Sequence, residues 1–335
     1  MKWRSCHRNR RIGRVAVAAL VFVLSFALAI WALPQLELRP GGYPTLFKIR
    51  NDNDPGADSF FVSRGHHELS HLALYHDIGS SIDNARNADI LIIGNSRAQL
   101  GFSEKVFVGE AEKLGLSVFN LAVGHADSAR FARDILRRFD LRPRILIANG
   151  GPFFYGNNYS PWAQEVVAMS RWEAYKTFFE YSLVWQAESR LHRYLPYLSY
   201  FKKFRYRWTH YRSPRTGWWR NTRIPPSRYP IRPDVEAKSY ARSLPVAQEL
   251  KTELDSRSSL LILTIMPYRK VQTGHLPYLS RELGVPYILP PFDGIQTADS
   301  SHLAPDSADR ISEYIWRALI DLPAVQERLS LPGKN

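Results

Sequence analysis

Apolar runs punctuate this chain, and their lengths sort them into two kinds of element. The longest, Val15 to Leu33, holds no charged residue and is about long enough to cross a bilayer as a helix. Five shorter runs follow: Ala88 to Gly94, Ser117 to Val123, Arg144 to Gly150, Leu260 to Met266 and Val285 to Pro291. Each is about seven residues long and bounded by Gly, Asn or Pro, as strands buried in a parallel sheet should be. Helix-like patterns lie between them, at Glu104 to Leu114, Ser128 to Phe139 and Val235 to Leu254. A last one, Asp306 to Leu319, sets Ile311, Tyr314, Ile315 and Leu319 at helical spacing. This rhythm predicts an α/β fold, a doubly wound parallel sheet of about five strands that receives ligands at its carboxyl ends.

The same pattern divides the chain. A cytoplasmic basic tail (1–14) and a transmembrane helix (15–33) are followed by a Pro/Gly/Asn-rich linker with an N-terminal extension (34–87). The α/β body comes in two parts, 88–150 and 243–325, separated by an insertion at 151–242 and followed by a short tail at 326–335. Lys2, Arg4, Arg8, Arg10, Arg11 and Arg14 precede the apolar run with no acid among them. The positive-inside rule then leaves the N-terminus in the cytoplasm and sends the body across the membrane, as a single-pass type II protein of a bacterial inner membrane facing the periplasm. A cleaved signal peptide is the alternative; the run exceeds a usual h-region, and Ala32 is followed by Leu33 and Pro34.

Composition narrows the picture in two places. Cys6, the only cysteine, falls in the basic tail, so the body can hold no intramolecular disulfide and is no secreted disulfide scaffold. The formal charge of +14 is local: the tail carries part, and Phe201 to Arg232 carries ten Lys or Arg with no acid, leaving the remainder near neutral. Nucleic acid is therefore not an expected partner. The insertion that bears this basic stretch is also crowded with aromatics, including Trp218 and Trp219. Such a surface suits a lipid headgroup layer or a lid over the sheet, and alternatively sugar rings or an anionic polymer.

The candidate chemistry lies at the two ends of the body. Gly94-Asn95-Ser96 closes the first short run, and Asp299-Ser300-Ser301-His302 precedes the last helix. A serine hydroxyl becomes a useful nucleophile when an imidazole takes its proton and a carboxylate orients that imidazole. Taken singly, Ser96 would read as a helix N-cap, His302 as a surface residue, Asp299 as a loop cap and Gly124 as a tight-turn glycine. Together, Gly94-Asn95-Ser96, Asn120 to Gly124, Ala148-Asn149-Gly150 and Asp299-x-x-His302 resemble the four blocks of the SGNH/GDSL hydrolase superfamily, over roughly a third of the chain. The resemblance implies a flavodoxin-like sheet, Ser96 as nucleophile, His302 as general base and Asp299 as its partner. It implies an oxyanion hole from the N–H groups of Ser96 and Gly124 and the side-chain amide of Asn149. The first block departs from Gly-Asp-Ser by one residue, and the third keeps only the asparagine of Gly-x-Asn-Asp.

Within that superfamily the anchor and the Asn-Ser-Arg block are similar to membrane-tethered members that act on exported polysaccharides. This implies an esterase or an O-acyltransferase without a cofactor, working on a carbohydrate or other acyl ester, with the lipid bilayer and a membrane-bound acyl-donor protein as partners. Arg97, Trp218 and Trp219 are then candidate substrate contacts. Two other readings stay open. The chain could be a non-catalytic polysaccharide-binding scaffold. His67-Glu68-Leu69-Ser70-His71 is also a literal H-E-x-x-H, which on one helix would face His67 and His71 toward a zinc ion with Glu68 as base.

Overall fold

The computed structural model describes residues 20, 21, 24, 60–64, 67–79, 81–124, 127–194, 210–221, 228–233 and 240–330. The chain divides into two compact units, Met1–Ile49 and Arg50–Asn335. In the first, Leu20, Val21 and Leu24 are helical and exposed. The rest of the expected membrane span and the linker at Pro34 to Pro55 lie outside the described residues. Among the described residues no helix is long and apolar enough to cross a membrane.

The second unit contains strands β1 (Phe60–Arg64), β2 (His67–Glu68), β3 (Ile90–Ile93), β4 (Val118–Asn120), β5 (Ile145–Asn149) and β6 (His210–Arg212). Then come β7 (Trp219–Asn221), β8 (Tyr229–Pro230), β9 (Leu260–Thr264), β10 (Tyr287–Ile288) and β11 (Gln296–Thr297). Its helices are α1 (Leu69–Tyr75), α2 (Ser81–Arg86), α3 (Ser96–Gly101), α4 (Glu104–Lys113), α5 (Ala129–Arg138) and α6 (Pro161–Ala168). They continue as α7 (Arg171–Tyr194), α8 (Leu244–Asp255), α9 (His275–Leu283), α10 (Pro305–Ile320) and α11 (Pro323–Ser330).

All five short apolar runs become strands of one parallel sheet, in the order β10-β9-β5-β3-β4. Period-two alternation explains why both faces are covered. Leu91, Ile93, Leu146, Leu261 and Leu263 point to one side and pack on Ile82 of α2, Phe131 and Ile135 of α5, Leu250 of α8 and Leu279 of α9. Ile90, Ile92, Ile145, Ile147 and Ile262 point to the other and pack on Phe107 of α4, Ile311, Ile315 and Leu319 of α10 and Val325 of α11. Burying each such side chain stabilises the fold by about 1.5–3 kcal/mol, so the sheet is a rigid base for whatever its ends carry.

Within this sheet the first strand in chain order, β3, lies between the second, β4, and the third, β5. Winding reverses there, and the crevice outside the carboxyl ends of β3 and β5 is where such sheets bind ligands. Helix boundaries follow local chemistry. The stretch expected as a helix from Val235 yields α8 only from Leu244, because Pro245 is tolerated in a first turn, and a 3-10 turn at Tyr240–Ser243 precedes it.

The aromatic and basic interval joins the N-terminal extension. β6 and β7 extend β1 and β2 into a four-stranded antiparallel sheet in the order β2-β1-β6-β7, and β8 pairs with β11. Arg212, one of the ten basic residues expected at a surface, is fully buried and donates to the carbonyls of Ala122 (2.9 Å) and Asn120 (2.5 Å) just past β4. Of the basic stretch, 201–209 and 222–227 lie outside the described residues.

Candidate active site

Ser96 is the first residue of α3, at the carboxyl end of β3. It is not the cap of that helix: Asn95 takes that role, its side-chain oxygen accepting the Arg97 N–H at 3.1 Å. The Ser96 hydroxyl is thereby released for another partner. Gly94 makes the turn possible. A Cβ there would lie 2.6 Å from Cβ of Ala98 and 2.8 Å from Cβ of Asn149, neither of which can swing away.

The second half of the site is a tight loop tied at both ends. Thr297 and Leu303 form a bridge, the Ala298 N–H donates to His302 O (2.8 Å), and the Ala304 N–H donates to Gln296 O (3.0 Å). Inside it, Asp299 Oδ1 accepts the N–H groups of Ser301 (3.0 Å) and His302 (2.8 Å), an Asx turn that Ser300 completes at φ 71°. Asp299 Oδ2 lies 2.7 Å from His302 Nδ1, and His302 Nε2 lies 2.9 Å from Ser96 Oγ. A carboxylate can only accept, so Nδ1 carries the imidazole proton and Nε2 offers its lone pair to the serine O–H. Burial pushes the Asp299 pKa up. The His302 ring N–H and the two backbone N–H groups overcome this and hold it at about 2. The carboxylate therefore stays charged. With 24% of the His302 side chain and 37% of that of Asp299 exposed, substrate can reach the pair.

The three groups expected of an oxyanion hole differ in what they do. Asn149 closes β5 and is buried. Its Oδ1 accepts the Met266 N–H at 2.7 Å, which turns its Nδ2 toward the Gly94-Asn95 turn, 3.4 Å from Asn95 Oδ1. Ser96 places its N–H in the first turn of α3, where it has no helical acceptor. Gly124 does not present a free donor: its N–H bonds Glu68 Oε2 at 2.8 Å, and a Cβ there would strike that carboxylate. Glu68 also accepts from Gln99 Nε2 at 3.1 Å.

The alternative zinc reading needs His67, Glu68 and His71 on one helix. Instead His67 and Glu68 close the short strand β2, and α1 begins only at Leu69, so the helical spacing a zinc site needs is not formed. The side chain of His67 lies outside the described residues. His71 is fully buried, with Nδ1 on the Glu68 carbonyl (3.3 Å) and Nε2 on the Asp127 carboxylate. Burial opposes its charged form, but the Glu68 and Asp127 carboxylates outweigh this and raise its pKa. Asp127 is lowered in turn: its burial acts upward, and its bond to His71 acts downward and wins. An imidazole that donates from both nitrogens has no lone pair for a metal.

The expected substrate contacts separate in the same way. Trp218 is 1% exposed, donates to the Phe102 carbonyl at 2.8 Å and packs on Phe107, so it belongs to the core. Trp219 donates to Ser70 Oγ at 3.3 Å and packs toward α1. Trp218 corrects the reading of a sugar-stacking surface, because it is packed in the core; Trp219 stays partly exposed. Arg97 does lie beside the His302 loop: its Nε donates to Ser301 Oγ (3.3 Å), and its guanidinium lies 3.8 Å from the Tyr268 ring centroid. Ser301 and Tyr268 were not singled out by the sequence reading. The strand-end position of Tyr268, two residues past Met266, was the available signal. Nothing in the pattern marked Gln99.

No protein-family model matches the chain, and no curated protein is similar to it in sequence. Among solved structures, the chain is similar to a Bacteroides fragilis protein described as a "putative acylhydrolase", at 10% identity and a TM-score of 0.37, over 74% of this chain and 95% of that one. At that level of likeness, the residues of this chain have to carry the chemistry themselves.

Proposed function

We propose that this chain is an SGNH-type serine esterase or O-acyltransferase that works through an acyl-serine on Ser96. One observation carries the reading: Asp299, His302 and Ser96 form an unbroken hydrogen-bonded line, with the serine end at the switch-point crevice of the sheet. As Ser96 Oγ attacks the ester carbonyl, His302 Nε2 takes its proton, and the Asp299 carboxylate stabilises the imidazolium. The developing oxyanion meets the Ser96 N–H and the Asn149 amide; Gly124 joins them only when Glu68 lets go. Collapse expels the alcohol, which takes the proton from His302. Water or a sugar hydroxyl then attacks the acyl-serine by the same path in reverse.

The finer reading places this chemistry in the periplasm, on a type II anchor formed by Val15 to Leu33, and directs it at acetyl esters of an exported polysaccharide. The basic tail before the apolar run and the resemblance of the Asn-Ser-Arg block support it. The test is hydrolysis of an aryl acetate by the full chain in detergent micelles, with and without a soluble oligosaccharide acceptor. An initial burst followed by slower turnover is expected, and the burst should be absent in Ser96→Ala. Acceptor that speeds the second phase and becomes acetylated identifies a transferase; turnover indifferent to acceptor identifies an esterase. A wild-type rate in Ser96→Ala would overturn the proposal.

A further inference from the structure

Arg97 stands apart from the other partly buried arginines among the described residues. Arg133 meets Glu249, Arg257 meets Glu253, and Arg144 bonds the carbonyls of Arg328 and Leu329 near Asp89. The guanidinium of Arg212 is closed by the carbonyls of Asn120 and Ala122. Arg97 has no such partner. Among the described residues no carboxylate lies within ion-pair distance of it, and of its five N–H donors only Nε is engaged, on Ser301 Oγ. Asp299 is near enough to be felt but is committed to His302. The Tyr268 ring under the guanidinium fixes its plane and removes water from one face. A cation held this way and left without an anion is costly, and a ligand oxyanion would offset that cost with a bidentate pair.

The position of Arg97 says which part of a substrate would carry the anion. His302 Nε2 has to reach both the Ser96 oxygen and the departing alkoxide oxygen, so the alcohol lies on the His302 side of the nucleophile. Ser301 precedes His302 in the same loop, and its hydroxyl bonds Arg97, which puts the guanidinium on that side. Of the oxyanion donors, the Asn149 amide lies on another element, at the end of β5. On the serine esterase or acyltransferase reading, we propose that Arg97 determines specificity by binding a carboxylate or phosphate on the alcohol half of the ester. The preferred substrates are acyl esters of acidic sugars or other anionic alcohols.

The test compares three esters on the full chain in detergent micelles: O-acetyl methyl glucuronide, its uncharged methyl ester, and O-acetyl methyl glucoside with a phosphate on its primary hydroxyl. In the wild type, kcat/KM for at least one anionic ester should exceed that of the neutral ester by about ten- to a hundredfold, mainly through KM. The ratio should shrink as salt is raised and should approach unity in Arg97→Gln. Arg97→Lys, which keeps the charge and loses the fork, should retain part of it. The larger of the two anionic ratios identifies carboxylate or phosphate as the group read. Labelling of Ser96 by an aryl acetate separates the two claims. No label would remove the catalytic reading itself. A labelled Ser96 with equal kcat/KM for charged and neutral esters would overturn the role of Arg97 alone. A wild-type preference unchanged in Arg97→Gln would do the same.

Discussion

Two imidazole–carboxylate pairs in this protein are built from the same residue types and come out as opposites. His302 and Asp299 lie at the mouth of the crevice, partly exposed, with one imidazole nitrogen committed to the carboxylate and the other turned to a serine hydroxyl. His71 and Asp127 are sealed in the interior, and the second nitrogen of His71 faces a carbonyl, with the Glu68 carboxylate 3.9 Å away. The first arrangement keeps a lone pair beside a proton donor, which is what a general base needs. The second raises the pKa of His71 and ties the N-terminal extension to the loop before α5. What separates the two pairs is the partner of the second nitrogen: a serine hydroxyl for His302 and a backbone carbonyl for His71.

The contrast is broken most easily by exchanging its two signatures, activity and stability. Ser96→Ala or His302→Ala should lower ester turnover by about 10⁴-fold or more while unfolding in urea shifts by less than about 1 kcal/mol. Asp299→Asn should follow at about 10³- to 10⁴-fold in kcat, because an amide can hold the imidazole in the wrong tautomer. His71→Gln should do the reverse. Removing the imidazole leaves Asp127 and Glu68 as buried acids with only neutral donors beside them, and should lower the unfolding free energy by about 3 kcal/mol or more. If His302→Ala proves as destabilising as His71→Gln, the division between the two pairs is wrong.

A third imidazole sharpens the comparison through pH. His275 is fully buried and has no carboxylate partner; its Nδ1 accepts the Gly151 N–H at 3.1 Å, and burial lowers its pKa to about 4. Below about pH 6.5 the unfolded chain takes up a proton on this residue that the folded chain refuses until about pH 4. Stability linked to His275 is therefore whole above that window and is lost as pH falls through it, by up to about 3 kcal/mol. His71 has the opposite sign. Its contribution is whole below its unfolded value and is lost as pH rises through its raised folded value. Urea unfolding across pH should show the acid-side slope flattened in His275→Asn and the alkaline-side slope flattened in His71→Gln.

The parts of this account legible in the sequence are those governed by local pattern. Uniform apolar runs such as Ile90 to Ile93 could only be buried strands, and chemistry-bearing residues just past their ends had to share one edge of the sheet. Ser96 and His302, which are 206 positions apart, meet for that reason. What stayed hidden depends on contacts between distant segments. Gly124 was expected to offer its N–H, but Glu68 reaches it from 56 positions away. Trp218 was expected at a surface, but it precedes β7, which pairs with β6 beside β1, and it packs in the core. The H-E-x-x-H match ignored the break between β2 and α1, which falls inside the motif.

The most direct test of the central claim is peptide mass spectrometry of the folded full chain after brief exposure to an aryl acetate. An acetyl group is expected on the peptide containing Ser96, absent in Ser96→Ala and strongly slowed in His302→Ala. An acetyl group that settles elsewhere, or a folded wild-type protein that acquires none on Ser96, would contradict it.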